Sequence, residues 1–240
     1  MKAVILVLSC AIFVALAGCS SDDVILPSGT VTSVNHHFSD YSGLIISHGF
    51  KVFITFSETK EEIEIEADDN LHAFIDVVKT DNRLIIKVKS NVSIQEPATK
   101  NVFITTKHVD LYAGSGGSDI SLQNKLFTDE VDVELSGGSS FTGDLNTTGL
   151  TVELSGGSRT DITGESDTYR VGASGGSIFR NYDFSADVLV AYLSGGSLGY
   201  VTVNNEIQVN ASDGSTLHYK GEATIVKENL SGGSVVIDEN

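Results

Sequence analysis

Ser136-Gly137-Gly138-Ser139 is one of six copies of the same tetrapeptide between residues 115 and 234. The other copies begin at residues 115, 155, 174, 194 and 231, and a degenerate seventh copy reads Ser212-Asp213-Gly214-Ser215. Successive copies begin 21, 19, 19, 20, 18 and 19 residues apart. A nearly fixed period of this length is typical of a stacked repeat, in which each unit buries its apolar face against its neighbours.

Each repeat contains a strand pattern on either side of its glycine pair. Thr151–Leu154 alternates before one pair, and Ser140–Leu145 follows another. One period of extended chain is about 60 Å long at roughly 3.3 Å per residue, which suits one coil of a β-helix. Paired glycines allow a sharp corner with positive φ, and the flanking serines can bond its backbone. We therefore predict an all-β, parallel β-helix-like solenoid of about seven coils over residues 109–240.

Residues 31–108 lack the tetrapeptide, but they alternate with the two-residue period of half-buried strands. The predicted strands are Lys51–Phe56, Glu62–Glu66, Arg83–Lys89 and Val102–Thr105, with a turn at Asp81-Asn82. We interpret Ala73–Lys79 as a further strand, with a helix as the alternative, and expect no other helix after the leader. This region is predicted to cap or extend one end of the solenoid.

The first 19 residues predict export and lipidation. The apolar run Ala3–Leu16 follows Lys2, is too short to span a membrane as a helix, and is typical of a signal peptide. It ends in Leu16-Ala17-Gly18-Cys19, which resembles the bacterial lipobox and implies a diacylglycerol on the Cys19 thiol. A secretory signal with a chance cysteine is the alternative. The predicted division is a signal peptide (1–18), a tether (19–30), an N-terminal β region (31–108) and the repeats (109–240).

The composition limits the partners. The chain has 15 basic and 32 acidic residues, a net charge of −17, which repels phosphate backbones, so we expect no nucleic-acid partner. The same charge opposes adhesion to anionic lipid, so the acyl chains would supply the membrane anchor. Cys10 lies in the predicted signal peptide and Cys19 would be lipidated, which leaves no disulfide in the mature chain.

One region resembles a known family. The stretch FKVFITFSETKEEIEIEADDNLHAFIDVVKTDNRLIIKVK, residues 50–89, together with the small-Gly repeats, is similar to the "GIN" head domain of putative autotransporter adhesins, a domain of unknown function. The resemblance covers about residues 38 to 225. It implies a β-helix-like fold on exported proteins of Gram-negative bacteria. It implies adhesion through the family name alone, and it brings no catalytic residues.

Several patterns that could support chemistry have simpler structural interpretations. Gly172-Ala173-Ser174-Gly175-Gly176 matches a nucleophile-elbow pattern, but it lies in a β repeat whose sister copies lack the match. Glu62, Glu64 and Glu66 alternate with isoleucines, as on the solvated face of one strand. The six histidines have no metal-ligand spacing, and no acidic residue recurs after the corners as calcium binding requires. We predict no catalytic, metal or cofactor site, and Cys19 as the one modified residue.

Two main classes of function remain. We expect a non-catalytic, adhesin-like surface or structural module on an outer-membrane lipoprotein, at the periplasmic or surface-exposed face. Its partner would be a glycan, a protein or a neighbouring copy. The alternative is a polysaccharide-active enzyme on a β-helix, which needs carboxylates beside basic residues, and Arg159 and Arg180, about one repeat apart, are predicted to stack on one face. An envelope-stress sensor module is a third possibility.

Overall fold

The computed structural model describes residues 23–240, which form 19 strands and one 3₁₀ helix, Asp69–Phe74. The strands are β1 (Asp23–Ile25), β2 (Val31–His36), β3 (Gly43–Ile46), β4 (Lys51–Phe56), β5 (Glu62–Asp68), β6 (Ile75–Thr80), β7 (Arg83–Val88), β8 (Val92–Ile94), β9 (Lys100–Thr106), β10 (Leu111–Gly114), β11 (Asp119–Leu122), β12 (Leu126–Leu135), β13 (Ser140–Leu154), β14 (Arg159–Ala173), β15 (Ile178–Leu193), β16 (Leu198–Ala211), β17 (Thr216–Lys220), β18 (Thr224–Leu230) and β19 (Val235–Asp238). Within this described part, no helix has the length and apolar composition needed to cross a membrane.

The repeats form a parallel β-solenoid of about seven coils, as predicted. Each coil pairs with the next in parallel, one repeat further along the chain, so that Leu135 pairs with Leu154 and Leu154 with Ala173. We call the strand segments that precede each corner the first face: β7, β3, β10, the ends of β12–β16, and β18. The segments that follow each corner are the second face: β9, β4, β11, the beginnings of β13–β16, β17 and β19.

The tetrapeptide forms the corner, as predicted. Gly137 and Gly138 have φ of +60° and +79°, the left-handed pair that a type I′ turn requires. Ser139 closes the turn, because its N–H and its hydroxyl both donate to the carbonyl of Ser136, at 3.3 and 2.8 Å. Successive corners also bond to each other, as where the N–H of Gly157 donates to the carbonyl of Gly175 at 3.1 Å. The corner serines at the last position of each copy are buried.

The N-terminal region both extends and caps the solenoid, as predicted. β3 and β4 add one coil, and β7 and β9 continue the two faces in parallel. Three antiparallel strands then end the stack. β6 pairs with β7, β5 pairs with β9, and β2 pairs with β5. Within the predicted tether, residues 23–25 form β1, which pairs with β8.

The segment Ala73–Lys79 is only partly the strand that we predicted. Residues 69–74 form the 3₁₀ helix, and β6 begins at Ile75. The reason is the end of β5, where the Asp68 carboxylate accepts from the N–H groups of Gly29 and Thr99, at 2.7 and 2.9 Å. This fixes the chain at the rim, and the helical turn buries Leu71 across the end of the core.

The core is a set of stacked columns inside the coils. One column lies along the first face and places equivalent residues of successive coils above each other: Leu44, Tyr112, Val133, Val152, Val171, Ala191 and Val209. All of them are at most 1% exposed. Because this alternation buries every second residue, the residues between them project outward and form the surface on which a ligand can bind.

Candidate functional site

Three aromatic side chains stack on the outer side of the second face. Tyr200 of β16 and His218 of β17 occupy paired positions, and their rings lie 4.7 Å apart at an angle of 14°. Tyr182 of β15 meets Tyr200 nearly edge to face, with ring centroids 5.3 Å apart. All three side chains are partly exposed. Since each ring packs against its neighbour, the stack holds the polar tips of these side chains in fixed positions.

Two cations flank this stack. Arg180 is exposed and pairs in register with Tyr200. The Lys220 ammonium nitrogen lies 4.4 Å from the ring centroid of Tyr182, within the range of a cation–π interaction. We name this group, Arg180, Tyr182, Tyr200, His218 and Lys220, the Tyr200 cluster. It combines rigid aromatic surface with hydrogen-bond donors on the outside of a flat sheet.

One acid, Glu239, contacts the stack. Nδ1 of His218 lies 2.7 Å from Oε1 of Glu239. Burial, and then the negative charge of Glu239, raise the pKa of Tyr182 above its ordinary value. A tyrosine is already protonated at neutral pH at its ordinary pKa, so the Tyr182 hydroxyl is a hydrogen-bond donor there.

The Tyr200 cluster lies where the repeat is irregular. The register of β15 against β14 shifts between the pairs Thr160–Phe179 and Gly164–Phe184, and its register against β16 shifts between Asn181 and Ser185. The shifted stretch contains Tyr182, whose carbonyl accepts a bond from the Thr202 hydroxyl at 2.8 Å. β-Bulges redirect side chains and occur often beside functional sites. Here the irregularity places an additional aromatic side chain beside Tyr200.

A groove of about 380 Å³ on the first face is the second candidate. Glu134 and Glu153 pair across β12 and β13 on its wall, above apolar residues such as Ile45 and Ala113. Burial, and then the charge of Glu134, raise the pKa of Glu153. No basic side chain of the described residues lines the groove, so it offers two like charges without a balancing partner. We therefore treat it as the weaker site.

The residues that the sequence singled out do not assemble into a reactive group. Ser174 lies at a corner equivalent to those of its sister copies, and its hydroxyl points toward the Leu154 carbonyl at 3.4 Å. Glu62, Glu64 and Glu66 project from β5 between buried isoleucines, as predicted. Among residues 23–240, no three His, Cys, Asp or Glu side chains are grouped to hold a metal ion. Cys19 lies outside the described residues.

The predicted stacking of Arg159 on Arg180 is wrong. Both arginines are exposed on the second face, but Arg159 pairs with Ile178 and Arg180 pairs with Tyr200, so they belong to different columns. The prediction failed because 21 residues separate the two arginines, whereas 19 separate Arg159 from its true partner. A difference of two residues moves a side chain to the next outward column.

The Tyr200 cluster was not predicted from the sequence, although a signal was present. Tyr182, Tyr200 and His218 are spaced 18 residues apart, close to one period of the repeat. Aromatic residues at the period of a solenoid occupy neighbouring coils and can stack. The signal was easy to overlook, because a spacing of 18 residues matches only the shortest interval between corners, whereas the usual interval is 19 residues.

Comparisons with known proteins give the family. The family described as "Putative auto-transporter adhesin, head GIN domain" matches residues 40–223. Among curated proteins, none matches this chain. Among solved structures, the chain is similar to a putative adhesin from Bacteroides fragilis, with 22% identity and a TM-score of 0.77 over 89% of this chain and 98% of that one. It is also similar to a putative adhesin from Parabacteroides merdae, with 15% identity and a TM-score of 0.72 over 91% and 100%.

At these identities the solved structures support the fold alone, which is the same extended β architecture. The family match is stronger evidence, because it spans most of the N-terminal region and most of the repeats, well over half of the chain. The chain therefore belongs to the family of the putative auto-transporter adhesin head GIN domain.

Proposed function

We propose that this chain is a lipoprotein of a Gram-negative cell envelope, anchored in the outer membrane through Cys19, and that its solenoid is a non-catalytic binding module. The adhesin-like family supports a place at the bacterial surface or envelope. The box Leu16–Cys19, behind a short apolar run, supports the lipid anchor.

The Tyr200 cluster is the observation that best supports a binding role. Its rings are held by packing within a rigid stack, so little side-chain entropy would be lost when a ligand binds. Tyrosine presents a large contact area together with a polar tip, which suits recognition of partners that are both apolar and hydroxylated. A glycan has that character, and we propose a glycan as the ligand.

Lipidation is tested directly at Cys19. We expect radiolabelled palmitate to enter the wild-type chain and the Cys10→Ser variant, because Cys10 lies in the predicted signal peptide. The Cys19→Ser variant should incorporate no label, because it lacks the thiol that accepts the diacylglycerol. Equal labelling of Cys19→Ser and the wild type would exclude the lipoprotein assignment.

Binding is tested with the full-length chain, solubilised in detergent, against a panel of immobilised bacterial and host polysaccharides. We expect retention on at least one glycan, and an affinity about tenfold lower for Tyr200→Ser, which removes the central ring of the stack. Tyr192→Ser is the matched control, because Tyr192 is a 58% exposed tyrosine of the first face.

The same panel distinguishes binding from catalysis. Release of new reducing ends, lost on replacement of Glu134 or Glu153 by glutamine, would replace the proposed function with that of an enzyme in the first-face groove. Retention that is equally strong in Tyr200→Ser would move the binding site away from the second face.

A further inference from the structure

Two of the five residues of the Tyr200 cluster, Arg180 and Lys220, are cations, although the chain as a whole carries −17. Among residues 23–240, neither Arg180 nor Lys220 takes part in a salt bridge. The acids at the end of the chain are engaged: Glu239 contacts His218, and Asp238 accepts bonds from the backbone and side-chain nitrogens of Asn240 at 3.1 and 2.7 Å. The cluster therefore has two cations to offer a ligand, and the negative charge of Glu239 lies beside them.

The positive charge is local and limited. Asp183 follows Tyr182 directly, and Asp161 is an exposed residue of β14, the strand beside β15. Exposed charges are screened over about 8 Å at physiological ionic strength, so a group that touches Arg180 responds mainly to its near neighbours. A ligand with many negative charges would meet these aspartates as well, and its remaining charges would be repelled.

The extent of the cluster across the sheet sets the size of the ligand. The cluster extends from β15 to β17, two strand spacings or about 10 Å across the sheet, and the Lys220 ammonium group lies over the ring of Tyr182. An inorganic anion cannot contact both ends of such a patch, whereas a short oligosaccharide can.

We infer that the Tyr200 cluster binds an oligosaccharide that carries a single carboxylate, as a uronic acid unit does. This inference rests on the proposed function and names the ligand class for its site. The guanidinium group of Arg180 offers paired N–H donors that match a carboxylate. The Tyr182 and Tyr200 hydroxyls and the Lys220 ammonium group bond the sugar hydroxyls of the neighbouring units.

The test uses isothermal titration calorimetry of the full-length chain in detergent micelles with three probes: a trisaccharide that ends in glucuronic acid, its glucose-terminated counterpart, and hexagalacturonate. We expect the first probe to bind at least about tenfold more tightly than either of the others, because a charge-assisted bond is lost with the glucose probe and charge repulsion is gained with the hexamer. Arg180→Gln should abolish this preference, and Lys220→Gln should weaken the binding of the glucuronic acid probe and of its glucose counterpart alike.

Arg159→Gln is the matched control, because Arg159 is an exposed arginine of the same face in a different column. It should bind all probes as the wild type does, and all three variants should unfold at the wild-type temperature. A glucose-terminated probe that binds as tightly as the acidic one, or an Arg180→Gln variant that retains the preference, contradicts this inference while leaving glycan binding intact. Failure to bind any glycan of the larger panel contradicts the proposed function itself.

Discussion

Replacing Gly164 by alanine is expected to lower the free energy of unfolding by about 4 kcal/mol. Gly164 has φ of +111°, a conformation that residues with a side chain rarely adopt. It pairs in register with Leu145 of the previous coil, and a Cβ atom at Gly164 would overlap the carbonyl oxygen of Leu145. The Leu145 oxygen and the Gly164 Cα that would bear the new Cβ both belong to paired backbones, so the clash is relieved only if the two coils separate at this position. The strain of φ and the lost packing therefore add to each other.

Gly157→Ala is the matched control for this prediction. Gly157 also has a positive φ, +78°, but a Cβ atom at this position would have no neighbouring atom within 4 Å, so the substitution adds strain without a clash. We expect a loss of about 1 to 2 kcal/mol, the ordinary cost of a left-handed residue with a side chain. Urea unfolding followed by circular dichroism measures both variants. If Gly164→Ala lost no more stability than Gly157→Ala, the coils would have to move apart easily at Gly164, contrary to this prediction.

The regular part of the fold was predictable because one motif determines both the local geometry and the period. Two adjacent glycines permit the corner, and their recurrence places the corners above one another. The strands between them then follow from alternation alone. β4, predicted at Lys51–Phe56, has the same bounds in the structure. In this part of the chain, local preference and tertiary packing agree.

One corner was not predictable from the motif. Ile46 ends β3, and the chain turns at His48 and Gly49, whose φ values of +71° and +74° resemble those of the glycine pairs. A Cβ atom at Gly116 would lie 3.2 Å from the N–H nitrogen of His48, so this corner is stacked beneath the first tetrapeptide. This corner could not be recognised from the tetrapeptide, because His48 occupies a position where the repeats have glycine.

The candidate site was missed for a related reason. The interval of 20 residues between the corners at Ser174 and Ser194 indicates one additional residue in that coil, but it does not say where the residue lies. The structure places the irregularity in the stretch that contains Tyr182. Side chains in a bulge leave the alternation, so the period alone cannot assign their direction. The Tyr200 cluster thus lies where the chain departs from the regular repeat.

The same irregularity opens a gap in the backbone ladder, and a buried side chain fills it. β14 and β15 have no paired positions between Thr160 and Gly164. The N–H of Ile162 in this gap donates instead to Oδ1 of Asn181, at 3.0 Å. Nδ2 of Asn181 donates to the hydroxyl oxygen of Tyr169, also at 3.0 Å. Asn181 and Tyr169 are fully buried, and burial raises the pKa of Tyr169 well above its ordinary value.

Replacing Asn181 by leucine, which has a similar size, is therefore expected to cost about 3 kcal/mol. The change leaves two buried groups, the Ile162 N–H and the Tyr169 hydroxyl, without their partner, and each orphaned group costs roughly 1 to 3 kcal/mol. Tyr169→Phe removes one bond and should cost less, about 1 to 2 kcal/mol. The double variant lacks both the Tyr169 hydroxyl and its Asn181 partner, so no hydroxyl is left orphaned. The stability lost by the double variant should therefore be clearly smaller than the sum of the two single losses. Urea unfolding of the three variants gives the coupling, and strictly additive costs would mean that Asn181 and Tyr169 do not act as one network.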